Sequence, residues 1–465
     1  LTTVDPTAFQ PRALAEFRPL CDPSRMAEPR PSAPPPSPRR AVVAATVGNA
    51  LEFYDFVTYG FFAIQIGRAF FPADTPYGSL MLSLATFGAG FVTRPIGGIV
   101  IGAYSDRAGR RAAMTLSFTM MGAAIVAMAV IPPYAKIGVA APVSAVIARM
   151  VMGFSLGGEV GPTTAYLLEV APAAGRGLSV AWQGASQMIA SAVGGGVGFA
   201  LSVTLWPAAL DAYGWRLAFL LGVVTLPFGL WIRRGLPETL RAPEDAAVAV
   251  SRSATRLGAA RAHWRILVLG LAILAHGTIR TYVTHYMTTF AQDTLHMSSG
   301  PAFAVIVVSS LTGLVGILYG GWLSDRIGRR PVMIWFNLAT LLLTYPVFLW
   351  VVEARSRTAL LVGMGMLGLV GGVPAGGFYV ALTESLPKAI RGGAFATLYA
   401  VAIATFGGTC QPIVTWLIHV TGNPMAPAWY LLAATVVGQF AMQLVPESAP
   451  VRLAIRSRFE GTATA

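Results

Sequence analysis

Twelve apolar stretches, each about 18 residues or longer, divide this chain into two groups of six. The first six lie near 43–70, 79–103, 112–132, 140–168, 178–206 and 216–233, and the second six near 266–291, 301–323, 331–352, 358–385, 393–420 and 427–446. An apolar helix of roughly 20 residues spans a ~30 Å hydrocarbon layer, and no soluble domain needs twelve. Charged residues make up only 11% of the 465, and hydrophobic ones 55%, whereas soluble domains carry about 25% charged residues. This excludes a disordered chain, a coiled coil, a nucleic-acid-binding domain and an ordinary soluble enzyme. The expected class is an all-α polytopic membrane protein in contact with the lipid bilayer.

An even number of spans puts both ends of the chain on one side. Of the 33 Lys and Arg, 25 fall on that side, five on the other, and three (Arg94, Arg149, Arg280) inside apolar stretches. Cytoplasmic loops collect Lys and Arg, so both termini are expected in the cytoplasm, and the net charge of +13 reflects topology rather than a nucleic-acid partner. Residues 1–40, with six Arg and a Pro-rich run, have no apolar core of a signal peptide. They are expected to form a disordered tail, with Met26 one candidate start. Cys21 and Cys410 form no metal or disulfide pattern.

The chain also repeats itself. Ser105-Asp106-Arg107-Ala108-Gly109-Arg110-Arg111 recurs as Ser324-Asp325-Arg326-Ile327-Gly328-Arg329-Arg330, each copy with a Gly four residues before its Asp (Gly102, Gly321). A second pattern, Glu169…Pro172…Arg176-Gly177, recurs as Glu384…Pro387…Arg391-Gly392 at nearly the same offset. Two matched pairs at one spacing imply two six-helix halves in the same orientation. The expected boundaries are 41–233 and 265–446 for the halves, 234–264 for a basic cytoplasmic linker, and 447–465 for a cytoplasmic tail.

The repeated loop resembles the signature loop of major facilitator superfamily transporters. Gly48-Asn49-x-x-Glu52-x-x-Asp55-Phe56, Arg94-Pro95-x-Gly97-Gly98, Gly153-Phe154-Ser155-x-Gly157-Gly158-Glu159 and Trp182-Gln183-x-x-Ser186-Gln187 are similar to the metabolite–proton symporters within it. Leu382-Thr383-Glu384 and Phe406-Gly407-Gly408 resemble the citrate–proton branch, from which the seventh span departs by carrying Arg280. The resemblance runs from about Val43 to Pro446. It implies that Asp106, Arg107 and Arg110, with Asp325, Arg326 and Arg329 in the second half, lock the cytoplasmic face during transport. It also implies a proton-transfer role for Arg149.

Ionisable residues inside spans are costly and mark pathways or relays. Asn49, Glu52, Asp55 and Tyr59 follow at steps of three and four, on one helical face. Two carboxylates a turn apart resist joint ionisation, which suits proton coupling; the other reading is a structural ion pair with Arg94 or Arg149. Arg149 in turn has Asp55 or Glu159 as its structural alternative. Gln183, Ser186 and Gln187 share a face of the fifth span, as cavity lining or as packing glue. His276, Arg280 and Thr284, with Thr281 and His285 beside them, form a polar stripe on the seventh span. Arg280 is the candidate anion ligand, because a planar guanidinium matches a carboxylate. Arg94, Tyr379, Thr383 and Thr405 complete the set.

No nucleophile constellation, metal-ligand cluster or nucleotide loop appears, so the chain is expected to be no enzyme, to use no cofactor and to need no obligate protein partner. The expected function is proton-coupled uptake of a small organic anion, citrate or a related di- or tricarboxylate, across the bacterial inner membrane. Import of an aromatic acid or a zwitterionic osmolyte, export, and a non-transporting receptor of the same fold are the alternatives. The topology is testable by Arg252→Cys in a background without native cysteines. An impermeant thiol reagent should label it in inside-out vesicles and not in intact cells; labelling from outside would reverse the orientation.

Overall fold

The computed structural model describes residues 38–108, 110–158, 164, 167–168, 171–223, 263–387 and 391–453. The expected N-terminal tail up to residue 37, most of the linker and the end of the C-terminal tail lie outside them, as does Glu159. The side chains of Glu52, Asp55, Asp106 and Arg110 are likewise outside the description.

The described chain is helical, without a strand. The first segment is α1 (Pro38–Phe61) with α2 (Ala63–Phe70), and the second is α3 (Pro76–Val92) with α4 (Arg94–Ala108). Next come α5 (Arg110–Val130), α6 (Ala140–Ser155) and α7 (Arg176–Thr204). The sixth segment begins at Pro207, earlier than expected, and is described to residue 223. The second half comprises α8 (Trp264–Thr289), α9 (Ser299–Ile327), α10 (Arg329–Ala354) and α11 (Arg357–Ser385). It closes with α12 (Arg391–Ala402), α13 (Gly408–Thr421) and α14 (Ala426–Leu444). Seven segments of the described chain are long and apolar enough to cross a membrane unaided; the one built on α1, with its polar face, is not among them.

Interruptions fall where the sequence provides for them. Pro95 occupies the second position of α4, where its missing N–H costs nothing. Thr93, between α3 and α4, donates its hydroxyl to the Met150 carbonyl of α6 at 2.7 Å. One π-helical turn, Phe290–Thr294, extends α8, and another, Ile403–Gly407, joins α12 to α13; such turns often mark functional sites.

Small residues set the helix spacing. A Cβ at Gly153 on α6 would overlap the Gly90 carbonyl of α3, and one at Gly320 on α9 would overlap the Val373 carbonyl of α11. Membrane helices lack a hydrophobic drive toward each other and gain from this close approach. The Arg149-x-x-x-Gly153 spacing thereby carries the arginine to the α3 interface. Between the halves, α7 packs on α9, α3 on α13, and α1 on α8.

Gly153→Leu should push α3 and α6 apart, at a cost of about 1–3 kcal/mol or more. The readout is a fall in melting temperature in detergent. Gly196→Ala, where a Cβ meets nothing within 4 Å, should leave it within a few degrees. Equal behaviour of the two variants would contradict the packing assigned to Gly153.

Candidate functional site

Midway along the bundle the two halves line a narrow cavity. The first half contributes Phe53 and Val57 from α1 and Gln187 and Ser191 from α7. From the second half come Thr278, Thr281, Tyr282 and His285 on α8, Phe378 and Tyr379 on α11, and Tyr399 on α12. Two hydrogen bonds cross between the halves here. Gln187 Nε2 donates to Tyr399 Oη at 3.1 Å, and Ser191 Oγ pairs with His285 Nε2 at 3.1 Å.

The polar stripe expected on α8 is divided by the helix itself. Neighbouring residues differ by about 100° around a helix axis, so Thr281 and His285 face the cavity while His276, Arg280 and Thr284 turn away from it. His276 is buried against Gly438 of α14 and near Asn337 of α10, outside the cavity. Asn337 in turn donates to Gln439 Oε1 at 2.8 Å. Arg280 fits beside Gly371 of α11 and Thr340 of α10, one layer behind the wall. From there its charge still reaches Tyr379 and His285, which do line the cavity. Thr383 is buried and bonds back to the Tyr379 carbonyl at 2.8 Å, and Thr405 is exposed. Neither lines the cavity.

On the other side, Asn49 joins α1 to α7: it donates to Ser186 Oγ at 2.6 Å and accepts from Gln183 Nε2 at 3.3 Å. Asn49 and Gln183 therefore knit a helix interface, with Gln187 the member of its face that reaches the cavity. Behind Phe53 stand the two arginines. Arg94 Cζ lies 4.2 Å from the centroid of Phe56, 5.2 Å from that of Phe91 and 5.8 Å from that of Phe53. Arg149 Cζ lies 4.5 Å from Phe56, 4.6 Å from Tyr59 and 5.0 Å from Phe87. Arg149 is fully buried, and its Nε and Nη2 have no hydrogen-bond partner among the described residues. Aromatic faces, whose quadrupoles attract cations, surround it, and the carboxylates expected beside it, Asp55 and Glu159, have side chains outside the described residues.

Sequence reasoning missed Ser191, Tyr282 and Tyr399. Ser191 was one turn beyond Gln187 on a face already identified, so extending that face finds it. Tyr399, a single tyrosine among apolar neighbours, gave no signal.

A second cluster occupies the end of the bundle that carries the repeated motifs. Asp325, at the end of α9, accepts from the backbone N–H groups of Gly177 (2.8 Å) and Leu178 (3.0 Å), capping the start of α7 in the other half. A helix N-terminus favours an anion. The same carboxylate pairs with Arg329 at 2.6 Å, and Arg329 makes a two-pronged contact with Glu384 at 3.3 Å. Arg176 stands 4.0 Å from Glu384. Glu447 caps α10 through the N–H groups of Arg329 and Arg330, and Ser448 Oγ donates to Glu384 at 2.8 Å. Residues of both repeated patterns therefore meet in one inter-half contact. Gly321 packs on Gly177, and Gly328 adopts a φ of +106°, which favours glycine. Arg326 lies outside the cluster, over Trp322. In the first-half copy, Arg107 is exposed and Gly102 has open space beside it.

Comparison with known proteins gives these features a context. The family model for sugar (and other) transporters matches residues 41–242 and 244–456. The chain is 35% identical to the citrate-proton symporter of Salmonella typhi over 408 residues, which is 87% of this chain and 93% of that one. It is 30% identical over 426 residues to the glycine betaine/proline/ectoine/pipecolic acid transporter OusA of Dickeya dadantii, covering 88% and 84%. Among solved structures, the proton:xylose symporter XylE, a major facilitator superfamily protein, superposes with a TM-score of 0.70 at 19% identity, over 89% of this chain and 97% of that one. The chain therefore belongs to the sugar (and other) transporter family, as a membrane transporter with the twelve-helix major facilitator fold.

Proposed function

We propose that this chain is a proton-coupled symporter that imports a small organic anion, a di- or tricarboxylate of the citrate type, across a bacterial inner membrane, with both termini in the cytoplasm. The observation that carries the reading is the charge around the cavity. Arg94 and Arg149 stand behind Phe53 and Phe56 on one side, and Arg280 behind Tyr379 and His285 on the other. Arg280, one layer behind the wall, contributes a positive potential that an entering anion relieves. Similarity to a citrate-proton symporter over nearly the whole chain supports it.

In this reading the cavity residues Gln187, Thr281, His285 and Tyr379 contact the solute, and the arginines hold it by charge through the wall. Glu52 and Asp55 on α1, with Arg149 and Glu159, carry the proton. Two carboxylates so close cannot both ionise cheaply, so one takes up a proton from outside and releases it inside. The contacts of Asp325 and Arg329 close the basic-loop end, and Asp106, Arg107 and Arg110 do so in the other half. The halves rock about the cavity.

One observation favours a different solute. The described lining is rich in aromatic rings and holds no Lys or Arg, and aromatic cages suit quaternary ammonium groups. A zwitterionic osmolyte of the betaine type is the second reading, in keeping with the 30% identity to an osmolyte transporter.

Counterflow in proteoliposomes separates the two. Labelled citrate should exchange, with competition from unlabelled citrate and none from glycine betaine; the reverse pattern would establish the second reading. A cation about 8 Å from a carboxylate is worth roughly 2 kcal/mol at an effective dielectric of ~20. Arg280→Gln should therefore weaken citrate affinity roughly thirtyfold, while Asp55→Asn keeps counterflow and loses uphill accumulation. Normal citrate affinity in Arg280→Gln would show that Arg280 only braces α8 against α11.

A further inference from the structure

The two bonds that cross the cavity differ in kind. Gln187 and Tyr399 exchange a neutral hydrogen bond. Ser191 bonds to His285, and imidazole is the side chain in the described lining that changes charge near neutral pH. Nε2 of His285 is taken by Ser191, which leaves Nδ1 as the polar atom available to a ligand.

The surroundings of His285 decide what a charge there would need. From α1 the Phe61 ring meets it edge-on at 5.3 Å, and on its own helix the Tyr282 ring does so at 5.6 Å. Across the cavity stand Ser191 and Gln187 of α7, Tyr379 of α11 and Tyr399 of α12. Arg280, one turn before it, adds a positive charge close by. Among the described residues no carboxylate faces it; on α1, the side chains of Glu52 and Asp55 lie outside them. An imidazolium walled by rings and beside an arginine needs an anion within hydrogen-bond reach. The cavity is where such an anion would come.

We propose that His285 takes up a proton together with the substrate: neutral in the empty carrier, its imidazole becomes imidazolium as a carboxylate enters, and donates to that carboxylate from Nδ1. This rests on the anion reading given above and deepens it. The substrate itself completes the proton site, so proton and anion bind as a pair in addition to any proton carried on α1. Ser191 is then a positioning residue, which fixes the ring by holding Nε2.

The test uses the purified full-length protein with citrate as probe. Affinity is measured by calorimetry between about pH 7.5 and 8.5, where carboxylates are ionised. Each proton taken up with the ligand lowers affinity about tenfold per pH unit. His285→Gln should bind citrate with that slope reduced by about tenfold per unit, and His276→Gln should keep the wild-type slope. A His285→Gln slope equal to wild type overturns the proposal. A second measurement requires no change at His285: in Asp55→Asn, citrate binding should still take up about one proton from a weakly buffered solution. Loss of uptake there assigns the proton to α1 and overturns the proposal. Wild-type protein that binds no citrate overturns the anion reading itself, and this inference with it.

Discussion

Keeping guanidinium groups inside a membrane is the constraint around which this molecule is arranged. An arginine at mid-membrane costs about 2.5–3.5 kcal/mol even on insertion scales, and this chain buries two beside one phenylalanine. Phe56 carries Arg94 at 4.2 Å and Arg149 at 4.5 Å, with Phe91, Tyr59 and Phe87 completing the aromatic surround. A cation over a ring gains ~0.5–2 kcal/mol, so several rings together offset much of the cost. The glycines of α6 belong to the same design, because α6 must lie close against α3 for Arg149 to reach Phe87.

The ends of the bundle are joined by different chemistry. At the basic-loop end the inter-half contact is ionic: Asp325 caps α7 and is itself held by Arg329, which Glu384 steadies. At the opposite end it is a matter of surfaces. The Tyr77 and His419 rings stack at 3.7 Å between α3 and α13, and about eleven residues deeper, at Gly88 and Gly408, the same two helices come nearly backbone to backbone. Opening the basic-loop end requires separating Asp325 from two N–H groups and Arg176 from Glu384, and parting Gly177 from Gly321. Opening the other end requires unstacking rings and parting two helices. Between them, the bonds from Gln187 to Tyr399 and from Ser191 to His285 tie the halves at the cavity, where a solute with oxygen acceptors would replace them.

Much of this architecture was legible in the sequence because it rests on patterns that repeat. Apolar length gave the spans to within a few residues for most helices, and the duplicated Asp-Arg loop pointed to the end where Asp325 and Arg329 meet α7. The cavity was less legible. The stripe His276–Arg280–Thr284 had the right residue types, yet one residue of helical rotation sends it toward α10, α11 and α14 and gives the cavity to Thr281 and His285. Periodicity locates a polar face but not which neighbour it meets. Tyr399 lay beyond reach for a plainer reason: its partner Gln187 is on another helix in the other half, and nothing local marks the pair.

The central question is whether a proton gradient drives an anion through this cavity. Purified protein in proteoliposomes, with the interior made alkaline and no membrane potential imposed, tests this directly. Labelled citrate should accumulate above its external concentration and drain when a protonophore is added. Citrate that only equilibrates, or glycine betaine accumulating in its place, would contradict the claim.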